Sequence, residues 1–118
     1  ISGRGMFTTD QVGAAGYDSS NFTDNFGGTS SATPVVAGVA ALILSVNPDL
    51  SAKQVKRILE ETADKIVDLD ADAQLGLRYG SYDENGHSQW FGYGKVNALR
   101  AVQAAQQLRT VIMSATWQ

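Results

Sequence analysis

The sequence contains no cysteine and only one histidine, and each shortage excludes a kind of chemistry. Without cysteine there can be no disulfide, no thiolate nucleophile and no cysteine-ligated metal site. Lysine and arginine together number 9 against 12 aspartates and glutamates. Because no basic cluster could follow a phosphate backbone, nucleic acid is not expected as a partner. No uninterrupted apolar run reaches the roughly 18–20 residues that a membrane-spanning helix needs, so no membrane interaction is expected either.

The sequence does contain a segment rich in glycine and serine, GGTSSATPVVAG at residues 27–38, which leads into the apolar run VVAGVAALIL at residues 35–44. This run is long for a strand, and its small residues favour a helix that other elements approach closely. Pro34 lacks a backbone N–H and fits a helix best in its first turn. The pattern therefore predicts a buried helix from about Ser30 to Val46, with another part of the protein packed against Gly38.

The first turn of this helix places hydroxyl groups beside free backbone N–H groups. Such N–H groups can stabilise a developing oxyanion, so a serine there can act as a nucleophile if a base takes its proton. The alternative is that Thr29, Ser30 or Ser31 merely caps the helix, which is the commoner role of these residue types. The residue types alone leave both interpretations open.

The full motif GTSSATPVVAG closely resembles the serine segment of the subtilisin-like serine proteases, G-T-S-x-A-x-P-x-V-A-G. The matched positions are Gly28, Thr29, Ser30, Ala32, Pro34, Val36, Ala37 and Gly38. The run FGYGKVNALRAV at residues 91–102 resembles the closing signature of the same family. The resemblance implies that Ser30 is the nucleophile and that its own backbone N–H is an oxyanion donor. The residues that support the motif would be Gly28, Thr29, Ala32 and Pro34.

The same resemblance implies a serine endopeptidase that hydrolyses proteins or peptides through an acyl-enzyme, in a secreted or cell-envelope location. The family order along the chain is Asp, His, Ser, so residues 1–118 would be the C-terminal half of a catalytic domain. The Asp and His would belong to an N-terminal half, and this chain alone is expected to be inactive. His87 follows the serine in a predicted turn, where an exposed side chain is the ordinary expectation. Cover for the apolar helix would come from the N-terminal half or from self-association.

Further elements complete a predicted α/β fold, which the resemblance implies is only the C-terminal portion of a larger one. Ser51 and Gln54 predict a capping box, Asn97 predicts a second helix cap, and Asn85-Gly86 is a hairpin signal. The predicted elements are a strand at Met6–Thr9, a loop at Gln11–Gly28, an amphipathic helix at Ala52–Asp64, hairpin strands at Leu75–Tyr82 and Gln89–Val96, and a C-terminal helix at Ala98–Leu108. The predicted inward face of the last helix comprises Leu99, Val102, Ala105 and Leu108.

Three aspartates alternate in an acidic segment, at Asp68, Asp70 and Asp72. Carboxylates at this density could supply oxygen ligands to calcium. An EF-hand loop counted from Asp68 would need glycine at its sixth position and glutamate at its twelfth, where the sequence has Ala73 and Tyr79. We therefore expect no cofactor and interpret the segment as an acidic loop, with calcium at the three aspartates as the alternative.

Two other functions remain open at this point. Residues 28–32 nearly fit the G-x-S-x-G elbow of the α/β-hydrolases, an esterase fold whose order Ser, Asp, His would make His87 a legitimate base. Against this, an elbow follows a buried apolar strand, and FTDNFGG at residues 22–28 does not predict one. The remaining possibility is a non-catalytic helical interaction module in which Ser30 only caps the helix.

Overall fold

The computed structural model describes residues 5–116, and in this range it contains two β-strands and three α-helices. The elements are β1 at Met6–Thr9, β2 at Phe22–Phe26, α1 at Thr29–Val46, α2 at Ala52–Thr62 and α3 at Ala98–Thr116. This content confirms the α/β class, the N-terminal strand and the three helices. The chain divides into two compact units, Ile1–Gly38 and Val39–Gln118.

The first unit contains a two-stranded antiparallel sheet formed by β1 and β2. Thr9 lies opposite Phe22 in the ladder, and the ring of Phe7 stacks on that of Phe22 with 5.5 Å between centroids. The predicted loop at Gln11–Gly28 was therefore wrong where β2 interrupts it. β2 contains aspartate and asparagine, which are depleted in strands, so cross-strand stacking and the burial of Thr23 stabilise what its own sequence predicts poorly.

The second unit is organised around a small core between α2, α3 and the C-terminal part of α1. Ile43, Ala101 and Ala105 are fully buried. The other core residues are Val39, Leu50, Val55 and Ile58. Asn47 is also buried, and its Nδ2 donates to the carbonyl oxygen of Ala105 at 3.1 Å. This hydrogen bond ties the residue after α1 to the middle of α3.

Both predicted helix caps are confirmed. The Ser51 N–H donates to Gln54 Oε1 at 2.8 Å, and Ser51 Oγ accepts from the Gln54 N–H at 3.4 Å, which completes the capping box of α2. At the start of α3, Asn97 Oδ1 accepts from the Arg100 N–H at 3.0 Å. α2 ends at Thr62, slightly before its predicted end.

α3 differs from its prediction in length and in the face that it buries. It continues to Thr116 because no glycine or proline follows Leu108 within it. Leu99 is 68% exposed and Leu108 is 41% exposed, so both were wrongly placed in the core, whereas Ala105 is buried as predicted. Ala101 and Ala105 thus form the buried face of α3, since small side chains let packed helices approach closely.

The predicted hairpin strands at Leu75–Tyr82 and Gln89–Val96 do not form within the described part of the chain. Single bridges take their place, which are Asp64–Lys95, Asp68–Gly80 and Ser88–Gly92. Two of these bridges connect the expected strands to the segment that follows α2, rather than to each other. A turn does form where the hairpin signal lies, because the Gly86 N–H donates to the Asp83 carbonyl oxygen at 3.0 Å. The signal therefore predicted the turn correctly but not its pairing partner.

α1 spans almost the predicted residues but is not buried within this chain. Val35 and Leu42 are exposed, and no neighbouring element of the described residues comes within 4 Å of a Cβ placed on Gly38. The predictions of a buried helix and of a segment packed on Gly38 were therefore wrong for the residues that the structure describes. The described residues cover α1 mainly on the side of Val39 and Ile43.

By length and composition, α1 is also apolar enough to cross a membrane, with a mean hydropathy of 1.7 over 18 residues. The expectation that no segment would meet this test considered only uninterrupted apolar runs and was too narrow. The test is weak evidence for a membrane span, because the core helix of a soluble protein passes it equally.

Candidate active site

The start of α1 is shaped by Gly28, whose φ of +72° is a left-handed conformation that favours glycine. Its carbonyl oxygen accepts the N–H groups of Ser31 and Ala32, both at 3.2 Å, which begins the helical hydrogen bonding. The N–H groups of Thr29 and Ser30 precede these bonds and have no acceptor among residues 5–116. Two N–H donors that no described residue accepts therefore lie side by side at the positive end of α1.

The two adjacent serines in the first turn have different environments. Ser31 is 7% exposed, and its Oγ donates to the carbonyl oxygen of Gly28 at 2.9 Å. Ser30 is exposed, and its hydroxyl has no hydrogen-bond partner in the described part of the chain. The Ser31 hydroxyl is thus committed to the turn, while that of Ser30 is available to another molecule. The motif treats Ser31 as a variable position, so this turn-holding role was not predicted, although serine commonly bonds a carbonyl three residues back.

Pro34 was expected in the first turn of α1, but it is the sixth residue of the helix and lies beyond that turn. Because proline has no N–H, the carbonyl oxygen of Ser30 loses its usual helical donor. Thr33 Oγ1 donates to the carbonyl oxygen of Thr29 at 2.8 Å, which adds a side-chain bond in the same part of the helix. The first turn therefore keeps its hydrogen bonds to Gly28 and Thr29 despite the missing amide.

A cleft of about 270 Å³ lies beside this turn in the first unit. Its lining is mainly apolar and comprises Met6, Phe7, Thr8, Phe26, Ser31, Pro34 and Val35. Ser30 is not one of these residues, so the cleft lies on the Ser31 side of the helix start. The cleft is therefore separate from the candidate site.

His87 lies in the turn that the sequence predicts for it and is exposed. Its N–H donates to Asp83 Oδ1 at 2.9 Å, and its ring packs edge-to-face on Tyr93 with 5.2 Å between centroids. Within residues 5–116 the imidazole has no hydrogen-bonded carboxylate that would orient it as a general base. Its contacts therefore describe a turn residue packed on a tyrosine.

The three alternating aspartates do not gather around a common point. Asp68 Oδ1 accepts from the Asp70 N–H at 2.9 Å, and Asp72 Oδ1 accepts from the N–H groups of Gln74 and Leu75 at 2.9 and 2.7 Å. Two of the carboxylates thus cap the backbone of their own turns. Among the described residues, no group of three histidine, aspartate or glutamate side chains could hold a metal ion.

Asp64 forms a polar joint that was not predicted from the sequence. Asn97 Nδ2 donates to both of its carboxylate oxygens at 3.1 Å, and Arg100 Nη1 donates at 3.2 Å. The pKa of Asp64 lies below its ordinary value, first because of the bond from Asn97 and then because of Arg100 and the charge of Lys95. Desolvation acts in the opposite direction and does not outweigh these groups. Because Asn97 also caps α3, these hydrogen bonds fix the start of α3 beside the end of α2. Asp64 is distant in sequence from the candidate nucleophile.

Comparison with known proteins gives one consistent family. A sequence model of the subtilase family matches residues 4–94. The chain is 42% identical over 110 residues to the calcium-dependent protease of Trichormus variabilis, a match that covers 86% of this chain and 15% of that protein. It is 56% identical over 43 residues to the serine protease AprX of Bacillus subtilis, covering 36% of this chain and 10% of that protein. It is 35% identical over 85 residues to the cell wall-associated protease of Bacillus subtilis, covering 66% of this chain and 10% of that protein.

The chain thus spans 15% of the length of the first of these relatives and less of the other two.

The alternative of a hydrolase elbow requires a strand before the serine turn. β2 does precede the Gly28 turn, so a strand–turn–helix order exists that the sequence did not predict. However, β2 is an antiparallel strand and largely exposed, unlike the buried strand before a hydrolase elbow. The family match includes the whole serine segment and most of the remaining chain. The chain therefore belongs to the subtilase family.

Proposed function

We propose that residues 1–118 are the C-terminal part of the catalytic domain of a subtilisin-like serine endopeptidase, with Ser30 as its nucleophile. The observation that carries this proposal is the contrast between the two serines of the first turn. The hydroxyl of Ser30 is exposed and has no partner among residues 5–116, whereas that of Ser31 is buried and bonded to Gly28. A nucleophile must reach the substrate, and only Ser30 meets that requirement.

In the proposed reaction, Ser30 Oγ attacks the carbonyl carbon of the scissile peptide bond while a base takes the hydroxyl proton. The carbonyl oxygen becomes an oxyanion, which the N–H of Ser30 stabilises at the positive end of α1. When the intermediate collapses, the amine leaves with a proton from the same base and an acyl-enzyme remains on Ser30. Gly28, Thr29, Ala32 and Pro34 would support this geometry, Gly28 through its left-handed turn.

The base and its carboxylate partner would come from an N-terminal half of the domain. His87 is a poor substitute because its ring packs on Tyr93 and no described carboxylate orients it. The exposed apolar residues of α1, among them Val35 and Leu42, supply a surface that the same N-terminal half would cover. Self-association over this surface is the alternative for the chain on its own.

Protein or peptide substrates and a secreted or cell-envelope location follow by analogy with the relatives. One relative is named a cell wall-associated protease, and another is named a calcium-dependent protease. We propose that any calcium requirement of the whole protein is met outside Asp68, Asp70 and Asp72, because two of these carboxylates already cap backbone turns.

The test compares the two serines in the full-length protein with a fluorophosphonate probe, which labels activated serine nucleophiles. Ser30→Ala should abolish both labelling and peptide hydrolysis. Ser31→Ala is the matched control and should retain labelling, since it removes only a hydrogen bond within the turn. Residues 1–118 alone should not be labelled, because loss of the triad histidine costs on the order of 10⁶ in kcat in subtilisin.

Three results would contradict the proposal. Labelling that survives Ser30→Ala would exclude Ser30 as the nucleophile. Labelling that is lost equally in both variants would mean that the contrast between the serines has no catalytic meaning. Labelling of residues 1–118 without any partner would show that the base lies within this chain, which would return attention to His87.

A further inference from the structure

Lys65 lies just after α2, and its ammonium group is held by two backbone carbonyl oxygens and two aromatic rings. Its Nζ donates to the carbonyl oxygen of Gly86 at 2.7 Å and to that of Tyr93 at 2.8 Å. The same atom lies 4.5 Å from the ring centroid of Tyr82 and 5.7 Å from that of Tyr93. Carbonyl dipoles and ring faces are both electron-rich, so all four groups attract a cation.

The surroundings of this ammonium are fixed by further contacts. The Tyr82 hydroxyl donates to the Ile66 carbonyl oxygen at 2.9 Å and accepts from the Ile66 N–H at 3.2 Å, which holds its ring over the neighbouring lysine. Gly86 has a φ of +73°, and a Cβ there would lie 3.4 Å from Lys65 Nζ. The carbonyl oxygen of Gly86 therefore reaches the ammonium from a conformation that few other residues adopt.

No described carboxylate pairs with Lys65, although two glutamates line the same cleft of about 430 Å³. Glu60 is paired with Lys56 at 3.3 Å, and Glu61 with Arg57 at 2.6 Å, each one turn apart on α2. The partners of Lys65 are thus neutral groups of residues 82–93. This choice of partners connects the ammonium to that segment rather than to α2.

We propose that Lys65 is a built-in ammonium ligand that closes the segment 82–94, and that this segment forms a site specific for a primary alkylammonium group. A compact ammonium with three donors fits two convergent carbonyl oxygens, with the tyrosine rings against its remaining surface. The segment forms no strand and is held by short-range backbone hydrogen bonds, such as the pair between Ser88 and Gly92. The contacts of Lys65 connect parts of the segment that these short bonds do not join, so its order should depend on them. Neutralising Lys65, for example by acylation, should therefore open the segment while α2 stays folded.

The first experiment uses the full-length protein with Ser30→Ala to prevent self-digestion, and measures amide hydrogen exchange by mass spectrometry. Lys65→Met removes the charge and keeps the length of the side chain. It should accelerate exchange in residues 82–94 about tenfold or more, because hydrogen bonds to a charged donor are lost. Lys53→Met is the matched control, since Lys53 is an exposed lysine of α2 without a described partner. Equal exchange in the two variants would overturn the proposal.

The second experiment tests the ligand class and remains informative if a variant folds poorly. Lys65→Ala leaves the two carbonyl oxygens and two rings without their cation. Propylammonium chloride, which replaces the missing side-chain atoms, should restore protection of residues 82–94 in a saturable manner, or restore folding if the variant is unfolded. Tetramethylammonium chloride at the same concentration cannot donate hydrogen bonds and should not. Rescue by both salts, or by neither, would refute an ammonium-specific site.

Discussion

Replacing Ser51 with alanine should lower the free energy of unfolding by about 1 kcal/mol. The capping box consists of two bonds of unequal length. The substitution removes the bond from the Gln54 N–H to Ser51 Oγ, which is the longer one at 3.4 Å, and also the bond that the Ser51 hydroxyl donates to Gln54 Oε1 at 2.9 Å. The bond from the Ser51 N–H to Gln54 Oε1, at 2.8 Å, involves only the backbone of residue 51 and survives. Because this backbone bond survives, the loss should stay below the roughly 2 kcal/mol upper limit for helix caps.

The assay for this change is equilibrium unfolding in urea, where the midpoint should fall by about 0.3–1 M with an unchanged slope. Ser51→Gly is the control, because glycine at a cap position costs only a few tenths of a kcal/mol. Gln54→Ala removes the shorter bond and leaves the Ser51 N–H to solvent. If Ser51→Ala left the midpoint unchanged, or if the glycine variant lost as much as the alanine variant, the assignment of stability to the cap would be refuted.

Two further predictions concern acidic residues. The pKa of Asp64 in the folded protein lies below its ordinary value because Asn97 and Arg100 bond to the ionised form. The ionised Asp64 therefore stabilises the fold above about pH 4, and this stabilisation is lost as the pH falls through the folded pKa. Wild type and Asp64→Asn should thus differ in unfolding free energy at neutral pH and converge in acid, and parallel pH profiles would contradict this. For Asp70, calorimetric titration should detect no tight calcium binding to this chain, and micromolar binding that Asp70→Asn abolishes would reverse our interpretation of the acidic loop.

Local signals in the sequence were sufficient for the helix starts. Ser51 and Asn97 both cap the helices that they were expected to cap, because a cap is decided by side-chain oxygens and N–H groups a few residues apart. The start of α1, expected near Ser30 and observed at Thr29, follows from the same short-range chemistry. The spacing of residues within one turn is therefore enough to predict that a helix starts near Ser30, though not the separate roles of Ser30 and Ser31.

Pairing between distant segments could not be predicted in the same way. Asn85-Gly86 predicts a turn, but which segment pairs with the flanking residues depends on contacts with residues 64–68. β2 was missed because its stability comes from Phe7 on another strand. The inner face of α3 was misassigned because a large apolar residue such as Leu99 is expected in a core from its type alone. The closely packed face of α3 instead contains alanines, and Leu99 is exposed.

The exposure of α1 leads to a last prediction. Leu42 is 51% exposed in this chain, so Leu42→Glu should cost the isolated chain little and leave its helical circular dichroism unchanged. If an N-terminal half covers this face, the same substitution would bury an unpaired carboxylate in the assembled domain, which is strongly unfavourable.

Mixing residues 1–118 with the N-terminal half should therefore restore fluorophosphonate labelling of Ser30 for wild type and not for Leu42→Glu. Lys53→Glu, on the solvated face of α2, controls for the added charge and should permit recovery. Equal recovery by all three chains would mean that the apolar face of α1 is not the surface on which the domain assembles.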